Sequence, residues 1–287
     1  MSGKYIRMST GDYFVNMKSV IADDIDQQFS PKEINFDPME VNVADIVAEN
    51  LHSSRKAAEV SQSNLAKVFG VSLSQYKKYE QGLEVLKIDH AQKWSLRFGA
   101  PFFQLLKHSG YQLPFNEFED TLNFKWFRAN SLTHEYFLKL IDIVHLFAGE
   151  QLTPSDLEVV RIEKEEMDAA MDELDNKIYI SIAKGLKCFR QRFDISQDRM
   201  ACLLGISKST YQQYEKETMK PRFSMTMASR FYLATNVSPL ALLKGTTYSR
   251  IRYMQEQRME ALLRLAEDIG KHQLAHMRPL VNGFLTW

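Results

Sequence analysis

Slid against itself by 135 positions, the 287-residue sequence repeats: residues 51–80 match residues 186–215 at 11 of 30 positions. The identities pair Leu51 with Leu186, Arg55 with Arg190, Ser61 and Gln62 with Ser196 and Gln197, and Ala66 with Ala201. Gly70, Ser72, Ser74, Tyr76, Tyr79 and Glu80 then match Gly205, Ser207, Ser209, Tyr211, Tyr214 and Glu215. Six of the other nineteen pairs exchange one apolar residue for another, as Val60 for Ile195, Leu65 for Met200 and Val71 for Ile206, so the two copies are expected to build superposable cores. Further on, residues 100–107 resemble residues 237–244, which puts two extra residues into the second copy and extends the repeat to roughly 60 residues.

Local signals cut each copy into short helices. Ser61 and Ser196 are good N-caps, and Gly70 and Gly205 interrupt the pattern eight or nine residues later. Ser72 and Ser207 cap the next helix, which ends near Gly82 in the first copy and before Pro221 in the second. Two further helices follow in each. Only Tyr5 to Val15 hints at a period of two, so the expected class is all-α. Two five-helix domains, 43–108 and 177–247, are preceded by an arm (1–42), joined by an acidic helical connector (109–176) and followed by a helical tail (248–287). In the connector Thr133 to Gly149 reads as a helix and Thr153-Pro154 as a helix start. From Met167 through Met171, Leu174, Ile178, Ile182 and Leu186 the apolar residues recur every three or four positions, as though one helix ran on into the second copy.

Charge follows the same division. The net charge is zero, yet Lys and Arg against Asp and Glu number 9 to 5 over residues 48–108 and 12 to 4 over residues 177–247. Residues 1–47 carry 4 against 8 and residues 109–176 carry 5 against 15. Positive charge is therefore gathered in the two copies, where it could meet a polyanion. At 45% hydrophobic residues the chain can bury a sizeable core. Cys188 and Cys202 are the only cysteines, and no signal leader or apolar run of about 18 residues is present, so the expectation is a cytoplasmic protein without disulfides or a membrane span.

A short helix, a turn of three or four residues containing Gly, and a second helix make the helix-turn-helix pattern, whose second helix enters the major groove. Residues 61–80 and 196–215 both carry it, and both resemble the Cro and lambdoid phage repressor family, also called the xenobiotic-response-element (XRE) family. The resemblance covers about 120 residues in two blocks. It implies a bacterial or phage transcription regulator that binds double-stranded DNA, with the turn glycine at Gly70 and Gly205 and a phosphate-anchoring amide at Gln62 and Gln197. Side chains facing base edges would be Leu73, Ser74, Gln75 and Lys78 in the first copy, and Lys208, Ser209, Thr210 and Gln213 in the second. Ser72 and Lys77, and Ser207 and Gln212, complete the DNA-facing set. The family's buried Arg–Glu pair falls on Arg55 with Glu80 and on Arg190 with Glu215. Lys220, Pro221, Arg222 and Phe223 resemble the family's basic loop, whereas the first copy has Leu83, Glu84, Val85 and Leu86 there. The second domain is thus expected to hold DNA more strongly.

Other features have plainer readings. Tyr76, Tyr79, Tyr211 and Tyr214 sit opposite the reading face and suit core packing better than base stacking. The acidic stretch Asp156–Asp175 reads as a solvated helix face. Cys188 and Cys202 read as small buried apolar residues. His272 and His276 have i, i+4 spacing but lack companion ligands, so no metal or other cofactor is expected. Ser249 to Ile269 is amphipathic and suits either a homodimer contact, as the central helices also could, or docking on the chain's own domains. No phosphate loop, zinc-protease signature or nucleophile elbow supports an enzyme. The second functional reading is an antitoxin-like adaptor that binds a protein through its acidic middle and autoregulates through one domain.

Overall fold

The computed structural model describes Asp26 and residues 29–112, 127–148, 161–220 and 223–269, and their fold is all-α. In the first copy, α1 (Val43–Ala57), α2 (Gln62–Phe69), α3 (Leu73–Glu80) and α4 (Ile88–Phe98) lead to a 3₁₀ segment, Phe102–Leu106. Then come α5 (His134–Ala148) and α6 (Lys164–Asn176). The second copy is α7 (Ile178–Arg192), α8 (Gln197–Leu204), α9 (Lys208–Tyr214), α10 (Met225–Thr235) and the 3₁₀ segment Pro239–Leu243, and α11 (Thr247–Ile269) closes the described chain.

The duplication extends to the backbone. Helix starts in the second copy lie 135 positions after those of the first as far as α9, and 137 positions after them from α10 onward. Left-handed residues recur in register as well: Glu59 with Asp194, Gly70 with Gly205, Gly99 with Asn236, and His108 with Gly245. Ser61, Ser72, Ser196 and Ser207 each accept an N–H two or three residues into their helix, at 3.1 Å in every case. Such a cap contributes about 1 kcal/mol. The fifth helix of each copy is 3₁₀ rather than α. Five residues, bounded by Pro101 or opened by Pro239 and followed shortly by a left-handed residue, are too few for regular α turns and close i→i+3 instead.

Leu51, Leu65, Phe69, Tyr76 and Tyr79 from the first copy and Leu186, Met200, Leu204, Tyr211 and Phe231 from the second belong to one buried hydrophobic cluster. The copies also touch each other: Lys87 and Ser224 form an isolated antiparallel bridge, with the Ile88 N–H donating to the Phe223 carbonyl at 3.4 Å.

Three expectations need correction. The end of the acidic stretch is a solvated face on one side only: Glu165, Asp168 and Asp172 are exposed, while the other side of α6 packs against α4 and α11 and brings three carboxylates to partners. Glu166 pairs with Arg250 at 2.8 Å, Glu173 accepts the Tyr248 N–H at 2.9 Å, and Asp175 pairs with Lys93 at 2.5 Å. Nor does one helix run through: Lys177 breaks the helical backbone between α6 and α7. Cys188 and Cys202 are exposed thiols, because Leu186 and Phe189 on α7, and Met200, Leu203 and Leu204 on α8, take the inward positions. As for the tail, α11 docks on the chain itself and buries Tyr248, Ile251, Gln255 and Arg258. Arg252 donates to the Ser95 carbonyl (3.2 Å), Gln255 to that of Leu96 (2.9 Å) and Arg258 to that of Leu132 (2.5 Å). From Tyr248 to Met259 that face is taken up by the chain itself; the side chains from Glu260 onward lie outside the described residues. Thr153-Pro154 and residues 5–15 lie outside the described residues.

Candidate nucleic-acid interface

Each copy places a two-turn helix beyond a left-handed glycine. Gly70 (φ 70°) and Gly205 (φ 65°) end α2 and α8, a conformation that costs a residue with a Cβ strain, and three residues later α3 and α9 begin. On α3 the tyrosines face inward, with Tyr76 and Tyr79 fully buried. Leu73, Ser74, Lys77 and Lys78 are exposed, as is the cap Ser72, and Gln75 is half-buried. On α9 Tyr211 is buried and Tyr214 half-buried, while Ser207, Lys208, Ser209 and Gln212 are exposed and Thr210 and Gln213 half-buried. Lys220 is exposed; Pro221 and Arg222, like His272 and His276, lie outside the described residues.

A polar network ties α3 to α1 and α9 to α7. Arg55 donates to Glu80 through Nε (2.5 Å) and Nη2 (3.1 Å), and its Nη1 reaches the Val60 carbonyl (2.9 Å). Gln62 Nε2 donates to the same carboxylate at 2.7 Å, and so does the Tyr76 hydroxyl. Burial pushes the Glu80 carboxyl up, but Arg55, Gln62, Tyr76 and His52 outweigh it and hold the group down at about 2. The second copy repeats the arginine and glutamine contacts, with Arg190 Nε and Nη2 donating to Glu215 at 2.6 and 3.2 Å and Gln197 at 2.7 Å, but the Tyr211 hydroxyl makes no hydrogen bond to match that of Tyr76. Glu215 is likewise held below its usual range against the effect of burial. The ion pairs implied by the resemblance are therefore present. Gln62 and Gln197, expected to anchor phosphate, each donate one of their two amide N–H groups to these glutamates.

Two carboxylates that the sequence did not single out as partners lie beside the exposed side chains of α3 and α9. Glu84, in the loop after α3, accepts from Gln75 Nε2 at 2.8 Å and lies 3.6 Å from the Lys78 ammonium. Asp198, on α8, accepts from Lys208 at 2.6 Å. Acidic groups thus occupy side chains expected to face base edges in both copies.

Charge elsewhere is also matched internally. Asp26 pairs with Arg192 (2.7 Å), Glu33 with Arg199 and Glu40 with Arg230 (2.6 Å), so the segment before α1 lies along the second copy and balances three of its arginines. Extended chain holds it there, with the Ser30 and Lys32 N–H groups donating to the carbonyls of Thr235 and Ala234. The bare charge count of residues 177–247 overstates what remains for an external polyanion. The signal for the cross-copy contacts was in the repeat: Glu40 and Asp175 are 135 positions apart, and Lys93 and Arg230 are 137 apart.

Among the described residues no group of three or more His, Cys, Asp or Glu side chains could hold a metal, and no helix is long and apolar enough to cross a membrane. No family model, no curated protein and no solved structure matches this chain.

Proposed function

We propose that this chain is a sequence-specific DNA-binding transcription regulator that reads the major groove with α3 and α9. The observation that carries the reading is the doubled helix-turn-helix, in which a short helix, a left-handed glycine and a serine-capped second helix recur with the same buried Arg–Glu brace. Burying the tyrosines and exposing Ser74, Lys77 and Lys78, or Lys208, Ser209 and Gln212, leaves hydroxyl and ammonium groups on the outer face of α3 and hydroxyl, amide and ammonium groups on that of α9. Such groups hydrogen-bond base edges, and exposed Leu73 suits a thymine methyl. In the first copy Lys67, Lys77 and Lys87 are exposed beside the reading helix, and in the second Lys216 and Lys220, which supplies the cations a phosphate backbone requires.

The test is fluorescence anisotropy of the intact protein with labelled fragments of the DNA upstream of its own gene, over a salt series. Specific binding that weakens steeply with salt is expected, with unrelated duplex of equal length binding at least about 10³-fold more weakly. No binding to any fragment at low salt would refute the reading.

A further inference from the structure

The two copies could be arranged head to tail, as beads on a string, or face to face. In a head-to-tail array one surface of the first copy meets a different surface of the second. In a two-fold arrangement the same surface is used by both, so that each contact occurs twice with roles exchanged. Three observations decide between them. First, Lys87 and Ser224 are equivalent residues, 137 positions apart, and they pair with each other in antiparallel sense. A residue that pairs with its own counterpart lies on the dyad. Second, α4 packs against its counterpart α10.

Third, the cross-copy ion pairs are reciprocal. Glu40, just before α1 of the first copy, pairs with Arg230 on α10 of the second, while Asp175, just before α7 of the second, pairs with Lys93 on α4 of the first. Each cation makes the same second contact: Lys93 Nζ donates to the Phe69 carbonyl (3.0 Å) and Arg230 Nη1 to the equivalent carbonyl of Leu204 (3.1 Å). Both therefore hold the end of the helix before the reading helix, within their own copy, while grasping an acid from the segment that leads into the other. Chance packing of two domains would not produce a swapped, matched pair of this kind.

A two-fold axis through Lys87 and Ser224 puts α3 and α9 at the same height along the axis and on opposite sides of it. The loop that follows α3 ends at Lys87, on the axis. Their outward side chains differ, however: Leu73, Ser74, Gln75 and Lys78 on one, and Lys208, Ser209, Thr210 and Gln213 on the other.

Resting on the DNA-binding reading above, we propose that one copy of this chain recognises a duplex of two inverted, non-identical half-sites at a fixed spacing. The two-fold relation fixes the inversion and the spacing, because the reading helices belong to one packed unit. The unlike side chains make the halves differ, so the target is a broken palindrome rather than a perfect one. A second chain is not required.

The experiment is selection by the intact protein from a pool of duplexes with a randomised stretch of about 30 base pairs, wide enough for two half-sites and their spacing. Native mass spectrometry of the complex with the enriched duplex follows. The expected result is two different submotifs in inverted orientation at one spacing, bound by a single chain. Reversing one submotif to give a direct repeat should lower affinity at least about tenfold. Enrichment of a direct repeat, of one submotif alone, or of a perfect palindrome bound by two chains would overturn this inference and leave DNA binding standing. Absence of any enrichment would overturn both.

Discussion

Replacing Glu84 by Gln is expected to strengthen DNA binding by the first copy. The Glu84 carboxylate accepts from Gln75 and lies 3.6 Å from Lys78, so it occupies two of the four side chains expected to reach base edges. Lys78 and Glu84 are nearly half exposed, and such a pair is worth only about 0.2–1 kcal/mol. A carboxylate near bound duplex also repels phosphate. At about 7 Å in water two unit charges interact with about 0.6 kcal/mol. Together these effects amount to about 1 kcal/mol, or about fivefold in affinity. Freeing one lysine for phosphate should also steepen the dependence of log affinity on log salt by about one unit. Anisotropy titrations of Glu84→Gln and the unaltered protein between about 50 and about 200 mM salt read both quantities. Unchanged or weaker affinity with an unchanged slope would refute the view that Glu84 holds the first reading helix back.

Arg55→Ala leaves the Glu80 carboxylate buried without its cation and should cost about 3–5 kcal/mol in urea unfolding, with Arg190→Ala costing less because its pair is more exposed. Because the Glu80 carboxyl is held at about 2 against an ordinary value of 4.5, its contribution is fully present above pH 4.5 and is lost as the pH falls toward about 2; Glu80→Gln should flatten that acid limb in thermal melts. Glu256, buried near Arg252, Gln92 and Tyr248, is pushed up to about 7 by burial against the pull of Arg252, so ionising it costs stability as pH rises from 4.5 to about 7. Glu256→Gln should therefore raise Tm at pH 8 and leave it nearly unchanged at pH 4, and equal shifts at the two pH values would contradict that assignment.

The parts legible in the sequence were those set by local rules. Serine caps, turn glycines and periodic apolar residues mark α2, α3, α8 and α9, because capping and left-handed turns depend on residues a few positions apart. Burial of Tyr76, Tyr79 and Tyr211 follows from their spacing on the same helices. What escaped was set by distant contacts. Cys188 and Cys202 are apolar enough for a core, but neighbouring side chains had already filled the inward positions. The charged face of α6 holds for exposed Glu165, Asp168 and Asp172, but Glu166, Glu173 and Asp175 meet Arg250, the Tyr248 N–H and Lys93 from 70 or more residues away along the chain. Glu84 and Asp198 looked like ordinary loop and helix-start acids, since their reach toward Gln75, Lys78 and Lys208 depends on the angle between consecutive helices.

The most direct test of the account is a hydroxyl-radical footprint on the selected duplex, made with the intact chain and with two triple variants. One carries Ser74→Ala, Gln75→Ala and Lys78→Ala, and the other Lys208→Ala, Ser209→Ala and Gln213→Ala. The intact chain should protect two patches on one face of the duplex, with centres about one helical turn (~34 Å) or a multiple of it apart, and each variant should lose a different patch while keeping the other. Protection by the intact chain of one patch only, or of both patches by a variant, would contradict the claim that each copy reads its own half-site.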